Sequence, residues 1–402
     1  MFEIEGNYAT AKCFATQVEE SAIEQIRTMC NTPFTEGCQV RIMPDVHAGK
    51  GCTIGTTMTI RDKVVPNVVG VDIGCGMYVV ELGKEELDLQ LLDEACHVVP
   101  SGFAVWEGRQ RRFDLQRLAC YRELKDAKRL ERSIGTLGGG NHFIEVDRAA
   151  DGTNYLVIHS GSRNLGTQVA GYYQGLAIDL HSGLDTYFEE RDRIIAQYKA
   201  EGRRNEIQPV LKRLRKHRHE TDVAPDLCWL EGSHMDAYLA DIELCQQYAR
   251  LNRETMAEVI VDRAKLTAGE AFHTIHNYID VDEMILRKGA IAAHAGELVL
   301  IPLNMRDGSV LARGRGNEDW NFSAPHGAGR VLSRAAARNT LSLDEYRQQM
   351  DDAGIYTTCV CEATIDEAPG AYKPREDIIG PIADAVDIVD ELRPIYNFKA
   401  TT

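Results

Sequence analysis

The chain has 402 residues, 44% hydrophobic and 26% charged, the composition of a soluble globular protein, and no apolar run is long enough to span a bilayer. Its formal net charge of −16 excludes nucleic-acid binding through the average field, so any such binding needs a locally basic cleft. Eleven scattered cysteines without paired spacing read as reduced thiols, and the start Met1-Phe2-Glu3-Ile4-Glu5 lacks the basic and apolar segments of a signal peptide, so a cytoplasmic protein is expected.

Residues 1–43 predict an opening strand, a helix over residues 19–29 with Ile23 and Ile26 on one face, and a strand at residues 39–43. Residues 44–51 then read as a polar, permissive loop around Asp45 and His47, a supporting wall of a site and not its centre. The stretch that organises the chain is Gly70-Val71-Asp72-Ile73-Gly74-Cys75-Gly76, following an apolar run. Glycine lets the backbone approach a bound group, so this turn offers a carboxylate and a thiolate on one side, a natural start for a metal site. A single Asp-x-x-Cys is common, however, and a lone Cys is usually a small core residue.

Residues 85–96 and 113–130 read as helices. A glycine-rich loop, Gly135 to Gly140, runs into an alternating strand that puts Asn141, Phe143 and Glu145 on one face and His142 on the other. Such loops suit phosphate, but this one is neither a Walker A loop nor a dinucleotide fingerprint. Residues 155–158 predict a buried strand ending at His159, where a hydrogen-bonded turn histidine and a site histidine are equally good readings.

Residues 183–225 read as a charged helical insertion. Its basic run, residues 211–219, is a solvated face before it is a tract for a nucleic-acid backbone. Residues 235–261 form an amphipathic helix. Residues 272–279 predict a strand carrying His273 and His276, with neighbouring strands at residues 284–290 and 298–302. His326 is placed at a helix start with Arg330 and Arg334 beyond it, and Pro381 is expected to open a last helix to Leu392. Without repeat, low-complexity tract or linker, one domain over residues 1–402 is predicted.

Asp72, Cys75, His142, His159 and His276 all lie beside glycines or at strand ends. Together they exceed the three protein ligands of an ordinary catalytic zinc. A thiolate can bridge, so two divalent ions sharing Cys75 is a reasonable arrangement, and paired metals suit phosphoryl chemistry. From the residues alone the reading stops at a two-metal enzyme acting on phosphates.

Six motifs, in order from about residue 10 onward, carry a resemblance: Met43-Pro-Asp-Val-His47, Gly70-Val-Asp-Ile-Gly-Cys-Gly-Met77, Gly138-Gly-Gly-Asn-His-Phe-Ile-Glu145, His159-Ser-Gly-Ser-Arg163, His276-Asn-Tyr278 and His326-Gly-Ala-Gly-Arg330. The set resembles the RtcB family, GTP-dependent RNA-splicing ligases that join 3′-phosphate or 2′,3′-cyclic phosphate ends to 5′-hydroxyl ends. The resemblance implies an α+β fold of mixed sheets with a central metal-binding cleft. It implies that Asp72, Cys75 and His142 hold one manganese ion while Cys75, His159 and His276 hold a second. His326 would take GMP from GTP as a phosphoramidate. The guanylate site would comprise Asn141, Glu145, Asn277, Ser309, the loop Pro302, Leu303, Asn304 and Met305, the backbone of Gly327, Ala328 and Gly329, and Lys399, with His142 and His276 bordering it.

His273 competes with His276 as ligand, but only His276 precedes the family's Asn. Arg163, Lys288, Arg330 and Arg334 are candidates for RNA phosphates, which would answer the net-charge objection through one cleft. Manganese rests on the resemblance, because a Cys/His site binds zinc more tightly. A monomer acting on RNA ends, with no membrane, is expected, and whether an activating partner such as archease is needed is left open by the sequence. Leu303 and Asn304 stand where the family usually has Gly and Ser, and Ala324-Pro325 replace Cys-Ser, so nucleotide choice and RNA-end preference are open. A metal-dependent cyclic phosphoesterase without ligation, or a non-catalytic RNA-end-binding protein, are the competing readings.

Overall fold

Backbone pairing in the computed structural model, which describes residues 1–214 and 221–401, builds two large sheets flanked by helices, an α+β architecture. The first sheet has six strands in the order Phe2–Glu5, Thr10–Cys13, Val40–His47, Ile54–Thr59, Ile285–Lys288 and Asn277–Asp280. It is mixed, with Thr10–Cys13 parallel to Val40–His47 and the other pairs antiparallel. The second has seven antiparallel strands in the order Ala271–Ile275, Gly76–Gly83, Asn154–Ser160, Phe143–Arg148, Val386–Lys399, Gly308–Gly314 and Leu298–Asn304.

The chain crosses from the second sheet to the first at one residue. Ala271–Ile275 ends in one sheet, Asn277–Asp280 begins in the other, and His276 lies between them. The His276 amide donates to the Cys75 carbonyl at 2.9 Å, and the Gly74 amide donates to the Asn277 carbonyl at 2.6 Å. These bonds stitch the Asp72–Cys75 turn to the seam. The approach requires glycine at position 76, where a Cβ would stand 2.4 Å from the Thr274 carbonyl oxygen. At Gly161 a Cβ would stand 2.2 Å from Asp72 Oδ1.

One 32-residue helix, Gly232–Arg263, underlies this region. Its buried Tyr238, Ile242, Cys245, Tyr248, Asn252, Met256 and Ile260 recur every three or four positions, as a core-facing stripe requires. Its fully buried Arg253 donates to the carbonyls of Gly74 and Ser160 at 2.7 and 2.8 Å, and Asn252 donates to Gly161 O at 3.1 Å. The helix thus fixes both loops that lead into the site.

The helix expected at residues 113–130 is instead two 3₁₀ turns, Leu115–Arg117 and Tyr121–Glu123, and a short helix, Ala127–Arg132. Asp241 from the long helix accepts the amides of Ala119 and Cys120 at 2.7 and 3.0 Å, taking donors a helical ladder would need. The helix predicted at residues 85–96 starts only at Leu89, where Asp88 caps it.

The expected last helix from Pro381 is one 3₁₀ turn, Pro381–Asp384, followed by the 14-residue strand Val386–Lys399. Pairing on both edges overrides local propensity there, and Pro394 sits at a register shift that tolerates its missing N–H. His326 follows the short strand Ser323–Pro325, and the next helix opens only at Arg334, so it is not at a helix start. The strand predicted at residues 39–43 runs on to His47, taking in part of the expected loop. Residues 183–225, read as a charged insertion, contain the helices Leu184–Ala200 and Ile207–Leu214, while most of the basic run, residues 215–219, lies outside the described residues.

Candidate metal and nucleotide site

The seam gathers the five residues expected to bind metal. Cys75 Sγ lies 3.4 Å from His142 Nε2 and 3.3 Å from His159 Nε2. His142 Nε2 is 2.9 Å from Asp72 Oδ2, and His159 Nε2 is 3.0 Å from His276 Nε2. Asp72, Cys75 and His142 form one donor set within 4.8 Å, and Cys75, His159 and His276 a second, with Cys75 in both. Donors about 2.0–2.3 Å from a common ion stand roughly 2.8–3.8 Å apart for donor–ion–donor angles between octahedral and tetrahedral, and the four contacts fall in that range, as a cation in each set requires.

The outer contacts orient the rings for that purpose. His142 Nδ1 meets the Leu137 carbonyl at 2.8 Å, and His159 Nδ1 meets the Asn141 carbonyl at 3.1 Å. A carbonyl only accepts, so each Nδ1 carries the hydrogen and each Nε2 offers its lone pair toward Cys75. Burial raises the Cys75 thiol well above its ordinary pKa, reinforced by the Asp72 charge. Burial and the neighbouring imidazoles hold His159 and His276 well below theirs. Burial opposes the Asp72 charge, but the contact with His142 outweighs it and keeps that carboxyl below its ordinary range, so Asp72 is the anion beside a neutral Cys75, His159 and His276 until a cation reverses that balance. His273 stays outside: it stacks on Tyr78 at 4.3 Å and meets Glu254 at 3.2 Å.

The His326 ring lies 4.7 Å from that of His276. Its Nδ1 is 2.6 Å from Asp45 Oδ2, which also accepts the His326 amide at 3.1 Å. A carboxylate only accepts, so His326 keeps its hydrogen on Nδ1 and leaves the Nε2 lone pair available. Asp45 is fully buried, and the absent Cβ of Gly329 would meet the Asp45 carbonyl at 2.3 Å, so the glycine-flanked loop wraps closely over the strand Val40–His47. His47 Nδ1 bonds the Asp45 carbonyl at 3.0 Å, and burial lowers the His47 pKa. The Asp45–His326 pairing was missed in the sequence because its partners are 281 positions apart; Asp-x-His looks like turn chemistry.

A cavity of about 300 Å³ opens beside His326 and is walled by His159, His276, Asn141, Phe143, Glu145, Asn277, Lys399, Pro302 to Met305 and Gly327 to Gly329. Two expected nucleotide residues are not on its wall. His142 faces the metal donors, and Ser309, 1% exposed, sits behind the wall. Asn304 accepts the amides of Arg306 and Asp307 at 3.0 Å, so its side chain holds the turn after the strand.

The expected phosphate cations are largely committed elsewhere. Lys288 is buried, donating to the carbonyls of Lys50 and Asn67. Arg163 donates to Thr136 Oγ1 and Gly102 O at 3.2 and 3.1 Å. Arg330 and Arg334 pair with Glu367, and Arg334 also with Asp366. Chain separation hid these partners.

Glu367 is a further residue that sequence reasoning missed. It binds Lys399 Nζ at 3.0 Å and Tyr372 Oη at 2.7 Å. Burial opposes its charge, but Lys399 and Arg334 outweigh burial and hold its pKa down at about 2. A depressed carboxyl pKa stabilises the fold above the unfolded value near 4.3, and that stability disappears as pH falls toward 2. Glu367→Gln is expected to be about 3 kcal/mol less stable at pH 7, the gap closing between about pH 4 and pH 2. Urea midpoints across that range check it; a constant gap contradicts it.

The family model described as tRNA-splicing ligase RtcB matches residues 25–126 and 116–400. The chain is 31% identical to an RNA-splicing ligase RtcB of Escherichia coli K12, with 95% of each chain covered. It is 27% identical to a tRNA-splicing ligase RtcB of Archaeoglobus fulgidus, covering 94% of this chain and 91% of that one. With an RNA-splicing ligase RtcB of Mycobacterium tuberculosis it shares 29% identity over 84% of this chain and 90% of that protein.

Proposed function

The chain belongs to the RtcB family and is an RNA ligase, and from that premise we propose that it joins RNA 3′-phosphate or 2′,3′-cyclic phosphate ends to 5′-hydroxyl ends in one catalytic domain, with GTP as cosubstrate. The observation that carries the mechanism is the pairing of His326 Nδ1 with buried Asp45, beside the metal donors and on the cavity wall.

His326 Nε2 attacks the α-phosphorus of GTP, a P–N bond forms, and pyrophosphate leaves. The ring gains positive charge as the bond forms, and Asp45 stabilises it while holding the Nδ1 proton. An oxygen of the RNA 3′-phosphate then displaces the imidazole and takes the GMP. The RNA 5′-hydroxyl attacks the activated 3′-phosphate, GMP leaves, and the phosphodiester closes. A cyclic end is hydrolysed to the 3′-phosphate before activation. Two divalent cations, manganese in this proposal, held by Asp72, Cys75 and His142 and by Cys75, His159 and His276, supply charge neutralisation at the phosphoryl oxygens when bound. Asn141, Glu145, Asn277, Lys399 and the walls at residues 302–305 and 327–329 position the guanylate.

The test is covalent labelling by [α-32P]GTP with manganese. The parent and the exposed-surface variant Lys84→Ala are expected to take up label, and His326→Ala to take up none. Label persisting in His326→Ala would remove His326 from the nucleophile's role.

A further inference from the structure

Behind Glu145 lies a second carboxyl that the chemistry above does not use. Asp147 stands two positions along the strand Phe143–Arg148, so both side chains share one face. It is fully buried, and neither Oδ1 nor Oδ2 makes a hydrogen bond of regular geometry among the described residues. Its polar neighbours are the Glu145 carboxyl and the Ser309 hydroxyl, a weak neutral donor whose Oγ is likewise buried and without a hydrogen bond of regular geometry among the described residues.

Glu145 is placed differently. It borders the cavity, its Oε2 accepts from Asn397 Nδ2 at 2.6 Å, and the Lys399 ammonium favours its anion. Two carboxyls buried together do not both ionise, and a buried carboxylate without a donor is costly. One proton on the pair resolves both problems, and it belongs on Asp147, which has neither a cation nor an amide donor. Burial and the Glu145 charge push the Asp147 carboxyl well above its ordinary range, outweighing the Ser309 hydroxyl; burial raises Glu145 as well, opposed by Asp147, Asn397 and Lys399.

We propose that Asp147 is a positioning residue that stays neutral, donates its carboxyl proton to Glu145, and thereby fixes Glu145 as an acceptor that selects guanine over adenine. Guanine presents two donors along one edge, N1–H and the 2-amino group, which an ionised carboxylate accepts. Adenine presents an unprotonated N1 there, which would need a donor. With the dyad's proton on Glu145 the cavity would offer O–H and the preference would weaken. Ser309, which is not on the cavity wall, acts in this arrangement through Asp147. The inference rests on the guanylate reading of the cavity and deepens it.

The experiment measures equilibrium binding of GMP and AMP to the full-length parent, Asp147→Asn and Asp147→Leu, with thermal melts of each. Asparagine keeps a neutral donor, so the GMP:AMP affinity ratio is expected to stay within about threefold of the parent. Leucine removes the donor and is expected to lower that ratio about tenfold or more. A folded Asp147→Leu protein with the parent's ratio overturns the inference and leaves the guanylate reading intact. A parent that shows no preference for GMP overturns that reading and the inference with it. Independently of nucleotide and of how the leucine variant folds, the parent-minus-Asp147→Asn infrared difference spectrum at neutral pH is expected to contain the carbonyl band of a protonated carboxyl. Absence of that band overturns a neutral Asp147.

Discussion

Cys75→Ala is expected to lose both bound cations together and to lower RNA ligation by about a thousandfold or more. Cys75 is the one residue common to both donor sets, and its Sγ is in contact range of His142 Nε2 and His159 Nε2. Removing an unshared ligand should behave differently. His142→Ala leaves Cys75, His159 and His276 in place, so one ion is expected to remain. Metal content per chain, measured after equilibration with manganese and removal of excess, separates the cases: near two for the parent, near one for His142→Ala and near zero for Cys75→Ala. A Cys75→Ala protein that keeps one tightly held ion would show that the sets are independent. Burial is what makes the contrast sharp, since Cys75 is only 2% exposed and solvent has little room to stand in for the thiolate.

The local parts of this site were legible in the sequence because they depend on short-range chemistry. Glycines mark the turn at residues 70–76, and apolar runs mark the strands that end near His159 and His276. The five expected metal-binding residues do converge, and the resemblance located them. What stayed hidden was pairing across the chain. Nothing local tells that Asp45 faces His326, that Glu367 gathers Lys399, Arg330 and Arg334, or that Lys288 is spent on two backbone carbonyls. The same limit explains the misread elements. Val386–Lys399 is a strand because two neighbours hydrogen-bond it. Residues 113–130 break their helix because Asp241, more than a hundred positions away, takes the amides of residues 119 and 120.

Asp45→Asn is expected to slow formation of the nucleotidyl adduct about 10²- to 10³-fold while leaving the half-saturating GTP concentration nearly unchanged. In the parent, Oδ2 accepts both the His326 amide and Nδ1–H, while Oδ1 is buried without a hydrogen bond among the described residues. An asparagine can place its carbonyl oxygen where Oδ2 stands, so the ring keeps its orientation and tautomer and only the charge is lost. That charge matters most when the P–N bond forms and the ring becomes cationic, which is why the rate should fall without a matching loss of GTP binding. Asp45→Ala removes the acceptor as well, strands the His326 amide and frees the ring to shift its proton to Nε2. A larger loss, about 10³- to 10⁴-fold, is expected for that variant. Single-turnover labelling at saturating GTP and manganese measures both. A rate within threefold of the parent for Asp45→Asn would mean that the carboxylate holds the loop in place and contributes nothing to the transfer.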